Sequence, residues 1–515
     1  MAETVAATAP RVRASTRTLS LLVFGAGTGT LATEIAASRL LAPYFGSSTI
    51  VWANLIGLVL AALAVGYWLG GRLADRRPDP RLLGLIVLAA AVYVAAIPFV
   101  TGPILDVAAR GLDRLSAGAV IGSFFGTLLI FVPPVLLLGM VSPFAIRLAI
   151  DDVASAGAIA GRLYALSTAG SLLGTFLPAL VTIPLVGTQR TFLGSAAVLA
   201  LTASILLGRR YLLAALVILL LTAVPPSSVR AEPGLVHEEE SRYQFIRVVE
   251  EDGVRRLYLN EGVAVHSVWR EDSVLTGGVW DTFQAVPSLL DRPPRRIAIL
   301  GNAGGTVARA LATFHPQAAV DGVEIDPAVT DVGERWFGMR DNPRLETHDQ
   351  DARPFLRRTP HRYDLIVVDA YHQPYVPFYL ATREFFELVR ERLRQGGIVA
   401  LNVATVPGDD RLERALAGTL ASVFPEVRVW PALRFNHIVL GFAEERPERR
   451  ARAPRDPRLR PLVALLEEQL GEPVAPSRRP WTDDRAPVEW TTDQMILEYA
   501  SRGGDLDETP LPTAP

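Results

Sequence analysis

The run Arg296-Ile-Ala-Ile-Leu-Gly-Asn-Ala-Gly-Gly-Thr306, continued by Val320-Asp-Gly-Val-Glu324, decides the fold of the C-terminal half. Ile297 to Leu300 are apolar without interruption, as a strand buried on both faces must be. Gly301-Asn-Ala-Gly-Gly305 can only be a tight turn, and Thr306 to Phe314 carries helical spacing. Val320 to Ile325 reads as a second strand with an acid near its end, and Asp326-Pro327 opens the next helix, where proline fits the first turn. Leu365-Ile-Val-Val-Asp369 and Gly397-Ile-Val-Ala-Leu-Asn402 supply further strands, with a helix over about 382–394 between them that Gly396-Gly397 ends. Strands that alternate with helices predict a doubly wound parallel sheet, an α/β Rossmann-like domain of methyltransferase type, over 291–445.

That topology places ligands outside the carboxyl ends of the strands. The glycines Gly301, Gly304 and Gly305 let the backbone come close to a ligand. An acid about 20 residues further on can accept from both ribose hydroxyls, and Glu324 is so placed. Asp351 lies in a turn before Phe355-Leu356, where it could take an adenine amino group or cap a helix. Asp369 ends an apolar strand at the mouth of the sheet, a position that favours a functional carboxylate.

Upstream, Tyr243 to Val249 and Arg256 to Asn260 alternate around Glu251-Asp-Gly253, which predicts a β-hairpin and a small β-subdomain at 241–290. Residues 226–240 are polar and read as a linker. Residues 19–225 are different in kind. Seven apolar segments, at 20–41, 50–71, 83–103, 119–146, 157–185, 190–208 and 211–225, compare with the ~20 residues that a spanning helix needs. The expectation is an all-α transmembrane bundle after a short tail, 1–18, in a multi-pass protein of the cell membrane. Arginines at 11, 13 and 17, at 72, 76, 77 and 81, and at 209 and 210 put the N-terminal tail on the cytoplasmic side. Seven crossings would leave the C-terminal domain outside, away from adenosyl compounds. A cytoplasmic domain needs the short last segment not to span, or another to be re-entrant. Glu34 and Arg39 fall in or near the first span, either as a functional pair or as a buried one. Arg446, Arg449, Arg450 and Arg452 belong to a solvated stretch of a C-terminal extension, 446–515, partly disordered beyond 503.

Composition excludes several chemistries. Among 515 residues there is no lysine and no cysteine, so lysine Schiff bases, thiolate nucleophiles, disulfides and cysteine-ligated metals are ruled out. The net charge of −2 offers no field for nucleic acid, and no metal is expected.

The motifs Tyr243-Gln244, Gly301 to Gly305, Val323-Glu-Ile-Asp-Pro327, Asp351-Ala-Arg353, Tyr363 to Asp369 and Leu380-Ala-Thr-Arg-Glu-Phe-Phe386 together resemble the spermidine synthase (polyamine aminopropyltransferase) family. Thr482-Asp-Asp-Arg-Ala-Pro-Val-Glu489 and the first span with Ala42-Pro43 are similar to its membrane-fused bacterial forms. The resemblance implies transfer of an aminopropyl group from decarboxylated S-adenosylmethionine to an amine such as putrescine. It also implies Glu324 on ribose, Asp351 on adenine, Gln244 lining the donor pocket and Asp369 on the substrate side. It carries departures. Where the family has an aspartate that grips the aminopropyl ammonium, this chain has Ala303. Where it has its catalytic aspartate, this chain has His372, which can still act as a base near neutral pH. A tyrosine expected near 279–280 is replaced by Val279 and Trp280. Two other readings therefore stand beside aminopropyl transfer: a different S-adenosylmethionine-dependent transferase such as a methyltransferase, and a non-catalytic binding module tethered to membrane lipid. A homo-oligomer is compatible with each.

Overall fold

The structure, a computed structural model, describes residues 14–45, 49–112, 118–150, 152–224, 232–260, 264–371, 375–446, 449–502 and 511–512. The chain divides into two compact units, Met1–Ala231 and Glu232–Pro515.

The first unit is helical: α1 (Thr16–Phe45), α2 (Thr49–Arg76), α3 (Pro80–Leu112), α4 (Gly118–Ile130), α5 (Val132–Gly139), α6 (Val141–Ala149), α7 (Ala156–Leu177), α8 (Ile183–Leu207) and α9 (Leu212–Leu221). Its core is built from Leu, Val, Ala and Phe, and many large apolar side chains, such as Leu60, Trp68 and Leu185, face outward. The α1 and α7 backbones touch: a Cβ added at Gly170 or Gly174 would lie 2.1 or 2.2 Å from the carbonyl oxygens of Phe24 and Thr28. Small residues permit such approach where packing, not water, drives association. Among the described residues, five helical stretches are long and apolar enough to cross a membrane: Thr16–Ala42, Val51–Arg76, Pro80–Gly102, Val132–Ala149 and Val153–Leu207. The last is interrupted at Gly187, whose φ of +84° breaks the helix into two legs that both pack on α1. The expected segments 157–185 and 190–208 are thus two legs of one helical run. The segment expected at 211–225 yields only the ten-residue α9, about 15 Å long against a hydrocarbon core of ~30 Å.

The second unit holds two sheets. β1 (Leu235–Glu240), β2 (Phe245–Glu251), β3 (Val254–Leu259) and β4 (Val265–Arg270) form an antiparallel meander in chain order. Asp252 and Gly253 both have positive φ, 51° and 74°, so the β2–β3 turn has the sense that matches strand twist. The linker expected at 226–240 is wrong for its second half, which is β1. Its His237-Glu-Glu-Glu240 sequence lacks apolar alternation because it is an edge strand, where charge blocks further pairing.

The main sheet contains β5 (Arg296–Leu300), β6 (Ala319–Glu324), β7 (Leu345–Asp349), β8 (Tyr363–Val368), β9 (Leu393–Ala404), β10 (Glu426–Trp430) and β11 (Asn436–Phe442) in the order β10-β11-β9-β8-β5-β6-β7. Strands β7, β6, β5, β8 and β9 run parallel as expected, and β11 runs against both its neighbours. The sheet is therefore mixed, and the chain leaves β11 at the end remote from the carboxyl ends of the parallel strands, Phe442 opposite Ile398. One face is covered by a cluster around Phe355, Phe385, Phe386 and Leu416, and the other by one around Phe283, Leu311, Trp430 and Leu462.

The C-terminal extension is more ordered than expected. It adds α16 (Arg460–Gln469) and α17 (Val488–Ser501) (α10 to α15 are Val279–Ala285, Thr306–Phe314, Pro327–Trp336, Ala352–Arg358, Arg383–Arg392 and Arg411–Ala421). Leu462 and Leu466 enter one core cluster, and Val488 and Met495 the other. The stretch taken as solvated is partly interior: Arg449 is buried over the Phe442 ring and forks onto Glu426. Leu511, expected in a disordered tail, is buried and donates its N–H to Gly277.

Candidate active site

The strand order reverses between β5 and β8, since β5 continues to β6 on one side while β8 and β9 lie on the other. A crevice at such a reversal is where α/β sheets hold ligands. The glycine turn sits there. Gly301, at φ +91°, packs so closely that a Cβ would be 2.4 Å from the Asp369 carbonyl oxygen and 2.6 Å from the Ala370 nitrogen. The N–H groups of Gly301 and Asn302 both donate to the Val323 carbonyl, which pins the turn to β6. Gly304 donates to Ser267 Oγ at 2.8 Å, which joins the small sheet to the turn, and Gly305, at φ +84°, leads into α11. Ala303, the residue in place of the family's aspartate, has φ +45° and donates its N–H to Glu324.

Glu324 ends β6 and turns back against this backbone, not into apolar interior. Its Oε2 accepts from Ala303 N at 3.0 Å and its Oε1 from Asp326 N at 3.1 Å. Burial pushes its carboxyl up to about 7, and the two backbone donors pull the other way. Gln244 is buried and bonds the side chain of Asp326, which also accepts from Ser241 Oγ at 2.5 Å. The small sheet thereby brings Gln244 to the end of β6, beside Glu324.

Asp351 is the N-cap of α13: its Oδ1 accepts from Arg353 N at 2.8 Å. Its Oδ2 accepts from Tyr379 OH at 2.7 Å. It caps a helix and still presents lone pairs at the carboxyl end of β7. Asp369, after β8, is held by Asn402 Nδ2 at 2.8 Å, and Asn402 Oδ1 in turn accepts from Asn436 Nδ2 at 3.0 Å. Burial raises the Asp369 carboxyl to about 7, offset in part by the Asn402 bond. The Tyr371 hydroxyl donates to the Asn402 carbonyl at 2.9 Å and accepts from Ala404 N at 2.8 Å, and burial pushes it far above its ordinary range. His372 lies outside the described residues. The turn, Glu324, Asp351 and Asp369 are thus gathered at the ends of neighbouring strands.

The sequence reading missed two sets of residues here. One is the Asn402–Asn436 ladder behind Asp369. Its only signal is a polar residue ending an otherwise apolar strand. The other is a cleft of about 360 Å³ beyond β9, lined by Thr405, Asp409, Asp410, Glu413, Arg434 and His437. Glu413 pairs with His437 and Asp409 with Arg411, so the cleft combines carboxylates with their own counter-charges. A larger arginine-lined cleft, about 470 Å³ beside Leu289 to Asp291, lies near Gly396 at the other end of the strands, with Arg446 on Asp291 and Arg449 on Glu426. It has no part in the arrangement above. Among the described residues Asp321, Glu346 and His348 bring ligand atoms together, but Asp321 is buried with Arg296 at 2.8 Å, so an ion pair accounts for it.

The chain is similar to several known proteins. The spermine/spermidine synthase domain matches residues 280–430. A "Probable polyamine aminopropyl transferase" of Bifidobacterium longum is 36% identical over 194 residues, 38% of this chain and 43% of that protein. A "Polyamine aminopropyltransferase" of Vibrio vulnificus is 31% identical over 242 residues, 45% of this chain and 80% of that protein. A crystal structure of a probable spermidine synthase from Corynebacterium glutamicum is similar over 53% of this chain and 96% of its own, with 20% identity and a TM-score of 0.37. The chain thus spans less than half of the first relative and four-fifths of the second. With a glycine turn at the strand-order reversal, an acid ending the next strand, and this extent of identity, the chain belongs to the spermine/spermidine synthase family of polyamine aminopropyltransferases.

Proposed function

We propose that the C-terminal unit moves an aminopropyl group from decarboxylated S-adenosylmethionine to a polyamine such as putrescine. The observation that carries this reading is the pair of carboxylates, buried Glu324 and half-buried Asp369, on two strands either side of the glycine turn. Glu324 accepts from the ribose hydroxyls and Asp351 from the adenine amino group, while Gln244 lines the donor side. The amine lone pair attacks the propyl carbon next to the sulfonium. That C–S bond breaks, its electron pair stays on sulfur, and neutral 5′-methylthioadenosine leaves. The proton shed by the attacking nitrogen goes to Asp369, whose elevated pKa suits a base working near neutral pH. His372 stands three residues on as a second candidate base. The relatives named aminopropyltransferases support the reading.

The helical unit anchors this enzyme in the cell membrane. With α9 too short to cross and the run from Val153 to Leu207 split at Gly187, the legs among the described residues number six, which returns the chain to the side where it started. Arginines at 72, 76, 77, 81, 209 and 210 support a cytoplasmic catalytic unit.

A second reading, transfer of a methyl group from S-adenosylmethionine, is favoured by Ala303, which leaves the turn without a carboxylate for the aminopropyl ammonium. One assay separates them. Full-length protein in detergent is given each donor with putrescine, and the nucleoside product is identified. Methylthioadenosine supports aminopropyl transfer and S-adenosylhomocysteine the methyl reading. Neither product, despite donor binding, leaves only a tethered binding module.

A further inference from the structure

The C-terminal extension reaches back to the adenine side of the site. Arg353, two residues past Asp351, is nearly buried, with 11% of its side chain exposed. Its guanidinium forks onto Asp483, NH1 to Oδ1 at 2.8 Å and NH2 to Oδ2 at 2.7 Å, and NH1 also donates to the Tyr379 carbonyl at 3.1 Å. Tyr379 in turn donates its hydroxyl to Asp351, and Arg353 its backbone N–H. Asp351, Arg353 and Tyr379 therefore form a closed ring, and Asp483 locks the guanidinium that completes it.

Asp483 is itself held in place. Its Oδ1 accepts from Thr382 Oγ1 at 2.7 Å and its N–H donates to Glu384 at 3.0 Å. The turn that carries it is closed by the Thr482–Arg485 bridge, and the Trp481 carbonyl accepts from Arg383 N at 2.8 Å. Ten residues on, Asp493 of α17 accepts from Tyr375 OH at 2.5 Å. The segment from Tyr375 to Glu384, which links the mouth of β8 to α14, is thus tied along its length to residues 481–493. Exposed ion pairs contribute little. Asp483 is 46% exposed, so this pair adds little stability, but its fork onto a nearly buried arginine, with a third donor on the same carboxylate, fixes geometry.

We infer that Asp483 is a positioning residue for the donor's adenine: through Arg353 and Tyr379 it fixes the direction in which the Asp351 lone pairs point. It lies outside the matched 280–430 region, so the extension is a working part of the transferase. The inference rests on the proposed role of Asp351. It requires that loss of Asp483 reduce discrimination between nucleobases and not merely stability.

The test is calorimetric binding of 5′-methylthioadenosine and its 6-oxo analogue, methylthioinosine, to full-length protein in detergent. The analogue presents a carbonyl where adenine presents an amino group, so a correctly aimed carboxylate rejects it. Wild type should prefer the adenine compound by at least about tenfold, and D483N should bind adenine about tenfold more weakly with the preference reduced to about threefold or less. R353K, which keeps the charge but not the fork, should fall between, and it substitutes for D483N should that variant not fold. Equal weakening of both nucleosides with the preference intact, or unchanged binding of both, overturns the brace while leaving the donor site standing. Failure of wild type to bind either nucleoside overturns the proposed function, and the brace with it.

Discussion

Replacing Asn402 by leucine should move the pH dependence of transfer, by an amount that the structure allows to be worked out. Asn402 Nδ2 donates to Asp369 Oδ1 at 2.8 Å and is what offsets the effect of burial on that carboxyl, which stands at about 7. A hydrogen bond to a charged group contributes about 1.5–3 kcal/mol, and one pKa unit is 1.36 kcal/mol, so its loss raises Asp369 by about 1–2 units. At pH 7 the ionised fraction then falls from about half to about 1–10%. The assay is methylthioadenosine release at limiting putrescine, since kcat/KM reports the enzyme before the amine binds. The wild-type profile should rise with pH through about 7, and the N402L profile through about 8–9, with similar plateaus. The amine's own ionisation, near 10, gives a separate limb common to both. A wild-type limb near 4, or limbs that coincide in the two proteins, would refute Asp369 as the base. Asn436 loses a partner in this variant, so its melting is measured alongside.

Two further outcomes follow from the same geometry. Gly301→Ala forces a Cβ to within 2.4 Å of the Asp369 carbonyl at a φ of +91°, and should cost about 3 kcal/mol or more, read as a fall in melting temperature of roughly 6–12 °C. Glu324 and Asp369 both have folded values near 7, above the unfolded carboxyl range of about 4, so the unfolded state releases their protons first. Ligand-free stability should therefore be greatest below about pH 4 from these two groups and decline up to about 7. Melting of the E324Q/D369N variant across that window should show a flatter slope.

Some of this was legible in the residues and some was not, for physical reasons. Ile297 to Leu300 and Gly301 to Gly305 are read correctly because a strand buried on both faces and a turn needing positive φ each leave few residue choices. The β2–β3 hairpin was legible through Asp252-Gly253 for the same reason. Strand β1 was not, because an edge strand satisfies the backbone with one neighbour and is free to be charged. The interior role of Arg449 was hidden by a sequence of charges that reads as surface, since its partner Glu426 is far away in the chain. The same holds for Asp483 and Arg353, 130 residues apart. Tertiary ion pairs leave no periodicity for a local reading to detect. Helix α9 shows the opposite error, an apolar run that ends in helix too short for the distance it was assigned.

The reversed strand β11 has a consequence for how the protein is made. It carries the chain away from the ligands, and the residues that follow must double back before Thr482 and Asp483 meet α13. Asp483 therefore leaves the ribosome after every strand of the sheet. A premature stop beyond β11 would leave a complete sheet whose Arg353 lacks its forked partner.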